Sequence, residues 1–176
     1  MYEAGTLVLF DRRGVYQIES IGEPPLSVSD EVLYYKLCSA FSGSGEIIYI
    51  PVNTTVFMRP LISESQVLEY LELSLQMEPQ VFSSRRAADL IAHYRSLLAS
   101  YKLEDCLLLI KEIYLKQRDI TGRGKRLGQV DQEYLKLAER LVCEEFAAVL
   151  GTTPDVVKKK LYASMRRKAA PQKAAP

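Results

Sequence analysis

Three groups of basic side chains have the residue types and the spacing that suit the binding of phosphate. They are Arg85 and Arg86; Arg123, Lys125 and Arg126; and Lys158, Lys159 and Lys160, which Arg166, Arg167 and Lys168 follow. Guanidinium and ammonium groups form charge-assisted hydrogen bonds to phosphate oxygens. Each group also has an ordinary interpretation, either as partners of nearby carboxylates or as solvated side chains. Together the three groups favour contact with a DNA backbone, with little readout of base sequence.

The charges are distributed unevenly along a chain whose formal net charge is +1. Residues 1–62 contain four Lys/Arg and seven Asp/Glu, whereas residues 156–176 contain seven Lys/Arg and no acidic residue. A mildly acidic first part and a basic end predict different partners for the two parts.

Residues suited to catalysis are few. His93 is the single histidine, and it lies within a predicted helix, where a structural or surface role is expected. The segment "GRGKRLG" at 122–128 resembles a phosphate loop, but Arg126 rather than Ser or Thr follows Lys125, and no strand precedes it. We therefore expect no enzyme, no cofactor and no metal site. Turnover that is lost when His93 is substituted would argue for an enzyme instead.

The cysteines and the hydropathy indicate a cytoplasmic protein. Cys38, Cys106 and Cys143 are far apart and form no C-x-x-C motif, so we expect buried thiols in a reducing compartment. No apolar run approaches the roughly 18 residues that span a bilayer, and the start of the chain lacks the pattern of a secretory signal. We expect no membrane partner.

The elements that must position the basic groups change in type along the chain. The first 60 residues read as short strands separated by turn signals, and their number predicts a small bent sheet or barrel. The predicted strands are Thr6–Phe10, Val15–Ile21, Val32–Cys38, Glu46–Val52 and, as a possible fifth, Thr55–Arg59. The turn "DRRG" at 11–14 closes the first hairpin, with two arginines that we expect to be solvated.

Helical spacing begins after "RPLIS". Ser63 and Gln66 form a capping-box pattern, and Pro79 closes this first helix. A second helix is predicted to start near Ser83, with Arg85 and Arg86 in its first turn. A third, from Leu103 to about Arg118, is apolar on several sides and should be central. A loop at 119–129 precedes a fourth helix from about Asp131 to Gly151, and Thr153-Pro154 opens a fifth.

The order of elements predicts an α+β fold with a small β unit at 1–62, a helical unit at 63–168 and a disordered tail at 169–176. In this arrangement all three basic groups belong to the helical unit.

Several segments, in this order, resemble CarD-like bacterial transcription regulators, whose polymerase-interacting domain also occurs in transcription-repair coupling factor. The β segments are "AGTLVLFDRRGVYQIESI", "IIYIPVNT" and "VFMRPLIS". The helical segments are "SSRRAADLIAHYRSLLASYKLEDCLLLIKEIYLKQRD" and "KRLGQVDQEYLKLAERLVCEEFAAVLG". The resemblance covers about residues 4–150.

The resemblance implies a Tudor- or SH3-like β unit that binds the β subunit of RNA polymerase by adding to the edge of a sheet. The strand residues implied in that contact are Ile47, Ile48, Tyr49, Ile50 and Pro51. It also implies a helical unit that lies on promoter DNA, where the family inserts a tryptophan into the minor groove. This sequence has no Trp and has Ser83 at the corresponding position, so Phe82, one residue earlier, is the candidate wedge.

The sequence therefore predicts a nucleoid-associated transcription regulator that modulates open-complex stability and has no small-molecule substrate. The predicted DNA-binding residues are Phe82, Ser83, Arg85, Arg86, Arg123, Lys125, Arg126, Lys158 and Lys159. The alternative is a protein–protein adaptor with a Tudor- or SH3-like head whose helices never contact DNA. Basic residues on one continuous face would favour DNA, whereas basic residues that scatter or pair with acidic residues would favour the adaptor.

Overall fold

The computed structural model of the chain describes residues 1–23, 32–43 and 45–166. The chain divides into two compact units, one from Met1 to Ile62 and one that begins at Ser63. The first is a five-stranded antiparallel sheet and the second a set of five α-helices, so the predicted α+β fold class is confirmed. The predicted tail from residue 169, with Arg167 and Lys168 before it, lies outside the described residues.

The strands follow the spatial order β4-β3-β2-β1-β5, so β4 and β5 are the outer strands of the described sheet. Their bounds are β1 Leu7–Phe10, β2 Gly14–Gly22, β3 Tyr34–Ser39, β4 Ile47–Pro51 and β5 Met58–Pro60. Each predicted strand overlaps one of these. The fifth begins later than predicted because the Thr54 hydroxyl accepts a hydrogen bond from the Val56 N–H, which forms a local turn instead of extended chain.

The "DRRG" segment is the turn between β1 and β2. Its ends have positive φ, 45° at Asp11 and 112° at Gly14, and the Arg13 N–H donates to the Phe10 carbonyl at 3.0 Å. The Arg13 guanidinium lies 3.1 Å from the Glu46 carboxylate, just before β4. Arg13 is exposed, as expected, and this surface ion pair is an addition to the predicted role.

One face of the sheet forms the core of the β unit. Alternate residues of β1, β2, β3 and β4 supply it, because side chains point to opposite faces of a strand in turn. The buried cluster consists of Val8, Phe10, Tyr16, Ile18, Tyr35, Leu37 and Ile50. A register shift between Ile18 and Ser20 marks a bulge where β2 meets β3.

The five helices are α1 Glu64–Gln76, α2 Ala87–Leu98, α3 Leu103–Thr121, α4 Gln129–Leu150 and α5 Pro154–Arg166. The predicted capping box is confirmed, since Ser63 and Gln66 each bond the other's backbone N–H. Gly151 ends α4 in the left-handed region with φ 60°, also as expected. The loop between α3 and α4 is shorter than predicted because α3 continues to Thr121 and α4 starts at Gln129.

Helix α3 lies centrally in the helical unit, as its apolar sequence predicts, since it contacts α1, α2 and α4; α4 contacts all four of the other helices. It also carries a buried cation. The Lys111 ammonium donates to the carbonyls of Ser74 at 3.3 Å and Met165 at 3.1 Å, near the last turns of α1 and α5. Burial lowers the pKa of Lys111. A charge buried at two helix ends, whose carbonyls carry partial negative charge, holds α1 and α5 against α3.

Helix α2 starts later than the sequence predicts. The backbone at Arg86 is extended (φ −95°, ψ 120°), and the first helical residue is Ala87. The Ser84 hydroxyl accepts from the Arg86 N–H at 3.1 Å, so a side chain replaces the helical hydrogen bond at this point. Arg85 and Arg86 therefore precede α2 instead of lying in its first turn.

Two of the three cysteines are buried as expected, Cys106 and Cys143. The expectation is wrong for Cys38, which is half-buried because its side chain alternates with Leu37 in β3 and points away from the core. Within the described residues, no helix has both the length and the apolar character needed to cross a membrane.

Candidate functional site

The outer strand β4 carries the five residues predicted to contact a polymerase. Ile47 and Tyr49 are 49% and 38% exposed and point away from the core. Ile50 belongs to the buried cluster, and Ile48 packs against it. Pro51 is half-buried at the end of the strand. The side chains of Ile48 and Ile50 thus hold the strand in place, and only Ile47 and Tyr49 present large apolar side chains.

The backbone N–H and C=O groups of β4 also alternate between the side that bonds to β3 and the outer side. Val52 N–H donates to the Leu33 carbonyl at 2.9 Å, immediately beyond the paired residues of β3 and β4. Because hydrogen-bonded and non-hydrogen-bonded pairs alternate in an antiparallel ladder, the even-numbered residues of β4 bond to β3. The N–H and C=O groups of Ile47 and Tyr49 therefore point to the outer side, where the described sheet has no further strand. Pro51 ends this run of donors, since it has no N–H.

Polar side chains lie next to this edge on the outer face of the sheet. Lys36 is directly opposite Tyr49, and Cys38 is opposite Ile47. One carboxylate oxygen of Glu19 lies 2.6 Å from the Lys36 ammonium and 3.0 Å from the Cys38 thiol. The hydrogen bond to Glu19 raises the pKa of Cys38. Sequence reasoning missed this group, because residues of β2 and β3 become neighbours only through the register of pairing.

Phe82, the candidate wedge, is held against the helical unit. Its ring stacks on the His93 imidazole with centroids 4.5 Å apart and an interplanar angle of 25°. Its backbone N–H donates to the Glu112 carboxylate at 3.0 Å, and His93 Nε2 lies 2.9 Å from the other oxygen of that carboxylate. Glu112 is a buried residue of α3, so its carboxylate holds both the Phe82 backbone and the His93 ring against that helix. This structural use of His93 agrees with the role expected for it.

Arg85 and Arg86 are exposed, as is Ser83. The Arg86 guanidinium lies 4.0 Å from the Asp89 carboxylate, which also accepts from the Ser84 hydroxyl at 2.8 Å. Exposed ion pairs of this length contribute little to stability, so Arg86 can exchange Asp89 for another anion.

Part of each of the other two basic groups lies at one cleft between the 122–128 loop, α4 and α5, although Arg123 and Lys160 do not line it. Lys125, Arg126 and Lys158 all line it, together with Lys136 and Tyr162. Lys159 lines an adjoining depression that also includes Lys158 and Tyr162. Neither Arg85 nor Arg86 lines these clefts.

Some of these cations already have acidic partners. Lys158 lies 2.6 Å from the Glu139 carboxylate, which also accepts from the Tyr162 hydroxyl. Glu139 is buried as well. Burial of the Cys143 thiol, with a smaller contribution from the Glu139 charge, raises the pKa of Cys143 to about 12. Arg123 lies 3.3 Å from Asp119, one helical turn earlier.

Lys136, Glu139 and Tyr162 were not predicted as site residues. Their helical spacing on α4 and α5 gave no such signal, since it is equally typical of solvated or core positions.

Within the described ranges, no group of three or more His, Cys, Asp or Glu side chains is arranged to hold a metal ion. No protein-family model matches the chain, and a search of curated proteins finds no match either.

Proposed function

We propose that this chain is a non-enzymatic bacterial transcription regulator. Its β unit binds the β subunit of RNA polymerase, and its helical unit contacts promoter DNA through phosphates, so that it modulates the stability of the open complex. The chain then acts in the cytoplasm, associated with the nucleoid.

The observation that carries the proposal is the outer edge of β4. Ile47 and Tyr49 combine exposed apolar side chains with backbone groups directed away from β3. An edge of this kind is a template for strand addition, in which main-chain hydrogen bonds give affinity and alternate side chains give specificity. The resemblance to CarD-like regulators assigns the polymerase contact to the same strand.

Contact with DNA is supported by the cations of the helical unit. Arg85, Lys125 and Arg126 are exposed, and the latter two share a cleft with Lys158. Binding through phosphates releases counterions, so the affinity for duplex DNA should fall steeply as salt is raised and depend little on base sequence.

The adaptor remains the second candidate, and a specific observation favours it. Arg86, Arg123 and Lys158, one residue from each basic group, lie within 4.0 Å of carboxylates. Pairing with acids is the ordinary use of surface cations, and it lowers the charge available to DNA.

Binding of the full chain to bacterial RNA polymerase core, measured by calorimetry, tests the proposal. Tyr49→Ala removes the exposed ring, and Tyr49→Pro removes the outward N–H while leaving the bonds to β3. Both should weaken binding, by about five- to thirtyfold if each removes about 1–2 kcal/mol. Val56→Ala is the matched control, since it also removes an exposed apolar side chain from the β unit but lies outside β4.

Wild-type affinity in both Tyr49 variants would reject the edge-strand contact. Polymerase binding with no salt-sensitive affinity for DNA would favour the adaptor.

A further inference from the structure

The cleft between the 122–128 loop, α4 and α5 has a volume of about 740 Å³. That is within the range of small-molecule sites, about 300–1,000 Å³. Four cations from three different elements line it: Lys125 and Arg126 on the loop, Lys136 on α4 and Lys158 on α5. Their convergence is a product of the fold, since more than 30 residues separate Lys125 from Lys158.

The acidic side chain in the lining does not cancel this charge. Glu139 is buried, and its two oxygens are taken up by the Lys158 ammonium and the Tyr162 hydroxyl. Glu139 therefore neutralises one of the four cations, Lys158. The other three, Lys125, Arg126 and Lys136, give the lining an excess of positive charge. Such an excess in a concave site focuses positive potential and favours a multivalent anion.

The loop that carries two of these cations is fixed to the helices on both sides. At its start the Lys125 N–H donates to the Ile120 carbonyl at 3.0 Å, and Gly124 turns the chain with φ 70°. At its end the Gln132 side-chain amide donates to the Leu127 carbonyl at 2.8 Å. A fixed loop loses little conformational freedom when a ligand binds, which favours affinity.

The rest of the lining suits a ring. Leu127, Leu135 and Tyr162 supply apolar and aromatic surface, and Thr121 and Gln117 add hydrogen-bonding groups. An aromatic face beside apolar side chains can hold a flat heterocycle, while neighbouring cations hold attached phosphates.

We propose that this cleft is a binding site for a small molecule in which two or more phosphate groups are linked to a flat heterocycle, as in a nucleoside diphosphate. The proposal goes beyond contact with DNA. A duplex backbone is convex and would reach the exposed ends of the cations, whereas a small polyphosphate can enter the cleft and contact Lys136 and the apolar residues as well.

Calorimetry on the full chain at low salt tests the proposal, with ADP, inorganic pyrophosphate and adenosine as probes. ADP should bind, pyrophosphate should bind more weakly because it lacks the ring, and adenosine should bind most weakly because it lacks the charges. The double variant Arg126→Ala/Lys136→Ala should weaken ADP binding by about tenfold or more, since it removes two cations able to form charge-assisted hydrogen bonds to phosphate. Lys160→Ala is the control, because it removes a cation of α5 that does not line the cleft. Thermal melting of each variant shows that the fold is intact.

Two results would overturn the proposal. One is the absence of heat with both ADP and pyrophosphate at millimolar concentration. The other is equal loss of ADP affinity in Lys160→Ala and in the double variant, which would mean attraction by overall charge only. If the double variant lowers affinity for duplex DNA but neither ADP nor pyrophosphate binds, the cleft serves the DNA backbone instead.

Discussion

The ring of Phe82 stacks on the imidazole of His93, with centroids 4.5 Å apart, and both residues are bonded to the same buried carboxylate of Glu112. Phe82 thus lies three residues before Arg85 and is held against the helical unit. A ring in this position can enter a base step only if it leaves the imidazole.

Substitution of Phe82 by alanine should have two effects. Loss of the stack and of partial burial should reduce the unfolding free energy by about 1–2 kcal/mol, measured by denaturant titration. If Phe82 is the wedge, the variant should also shorten the lifetime of the polymerase open complex, measured by competitor challenge.

His93→Ala separates these effects. It removes the same stack and also the contact with the buried Glu112 carboxylate, so the loss of stability should be at least as large. It leaves the Phe82 ring present and free to insert, so the open-complex lifetime should be retained. Equal shortening in both variants would mean that the lifetime follows stability, and Phe82 would lose its role as a wedge.

A buried polar network joins three helices, and its removal should be strongly destabilising. The Asp131 carboxylate accepts from the Tyr94 hydroxyl at 2.7 Å and lies 2.8 Å from the Lys116 ammonium. Asp131→Ala leaves a buried hydroxyl and a largely buried cation without this partner. We expect a loss of about 3–5 kcal/mol in the unfolding free energy.

The double variant Asp131→Ala/Lys116→Met provides the check on mechanism. Once the carboxylate is absent, replacing the ammonium removes an unpaired charge, so the double variant should lose less than the sum of the two single changes. Additive losses would show that Lys116 and Asp131 are not coupled and would contradict the network.

Stability should decline above pH 10, in part because of Tyr162. Burial and the hydrogen bond to Glu139 hold the pKa of Tyr162 well above its ordinary value of 10.0. The contribution of Tyr162 to the unfolding free energy is complete below pH 10. Above pH 10 it falls by about 1.4 kcal/mol per pH unit, because the tyrosine ionises in the unfolded chain but stays protonated in the folded one. The raised pKa of Tyr94 likewise makes stability fall with rising pH. Burial lowers the pKa of Lys111, and this makes stability rise with pH instead.

Tyr162→Phe isolates one of these contributions. Its unfolding free energy, measured in urea between pH 8 and pH 11, should fall less steeply above pH 10 than that of the wild type, because the other groups are unchanged. Parallel curves for the two proteins would show that Tyr162 ionises equally in the folded and unfolded states.

Glu19→Gln should speed the alkylation of Cys38 by iodoacetamide at pH 8. Glu19 accepts the thiol hydrogen bond and raises the pKa of Cys38, which limits the reactive thiolate. Cys143, buried and with its pKa raised to about 12, should stay unmodified in the folded protein. Mass spectrometry of the modified peptides identifies the site. An unchanged Cys38 rate in Glu19→Gln would mean that access, not Glu19, controls its reactivity.

The sequence by itself determined much of the fold, because local signals decide where elements begin and end. The capping box at Ser63 and Gln66, Gly151 at the end of α4 and Pro154 at the start of α5 each act through backbone groups a few residues away. Alternation in β3 and β4 likewise separates core residues such as Leu37 and Ile50 from outward ones such as Tyr49. A partner contact at Tyr49, by contrast, is implied by the resemblance to CarD-like regulators and not by this alternation.

Only the tertiary structure decided which distant side chains meet. Nothing local places Glu19 beside Cys38, Lys158 on Glu139 or Phe82 on His93, and the late start of α2 depends in part on the Glu112 carboxylate of another helix. Periodicity predicts that a residue faces inward or outward, but its partner depends on strand register and on how helices pack. Those are set by the summed burial of many side chains, and so the cleft that gathers Lys125, Lys136 and Lys158 exists only in the folded chain.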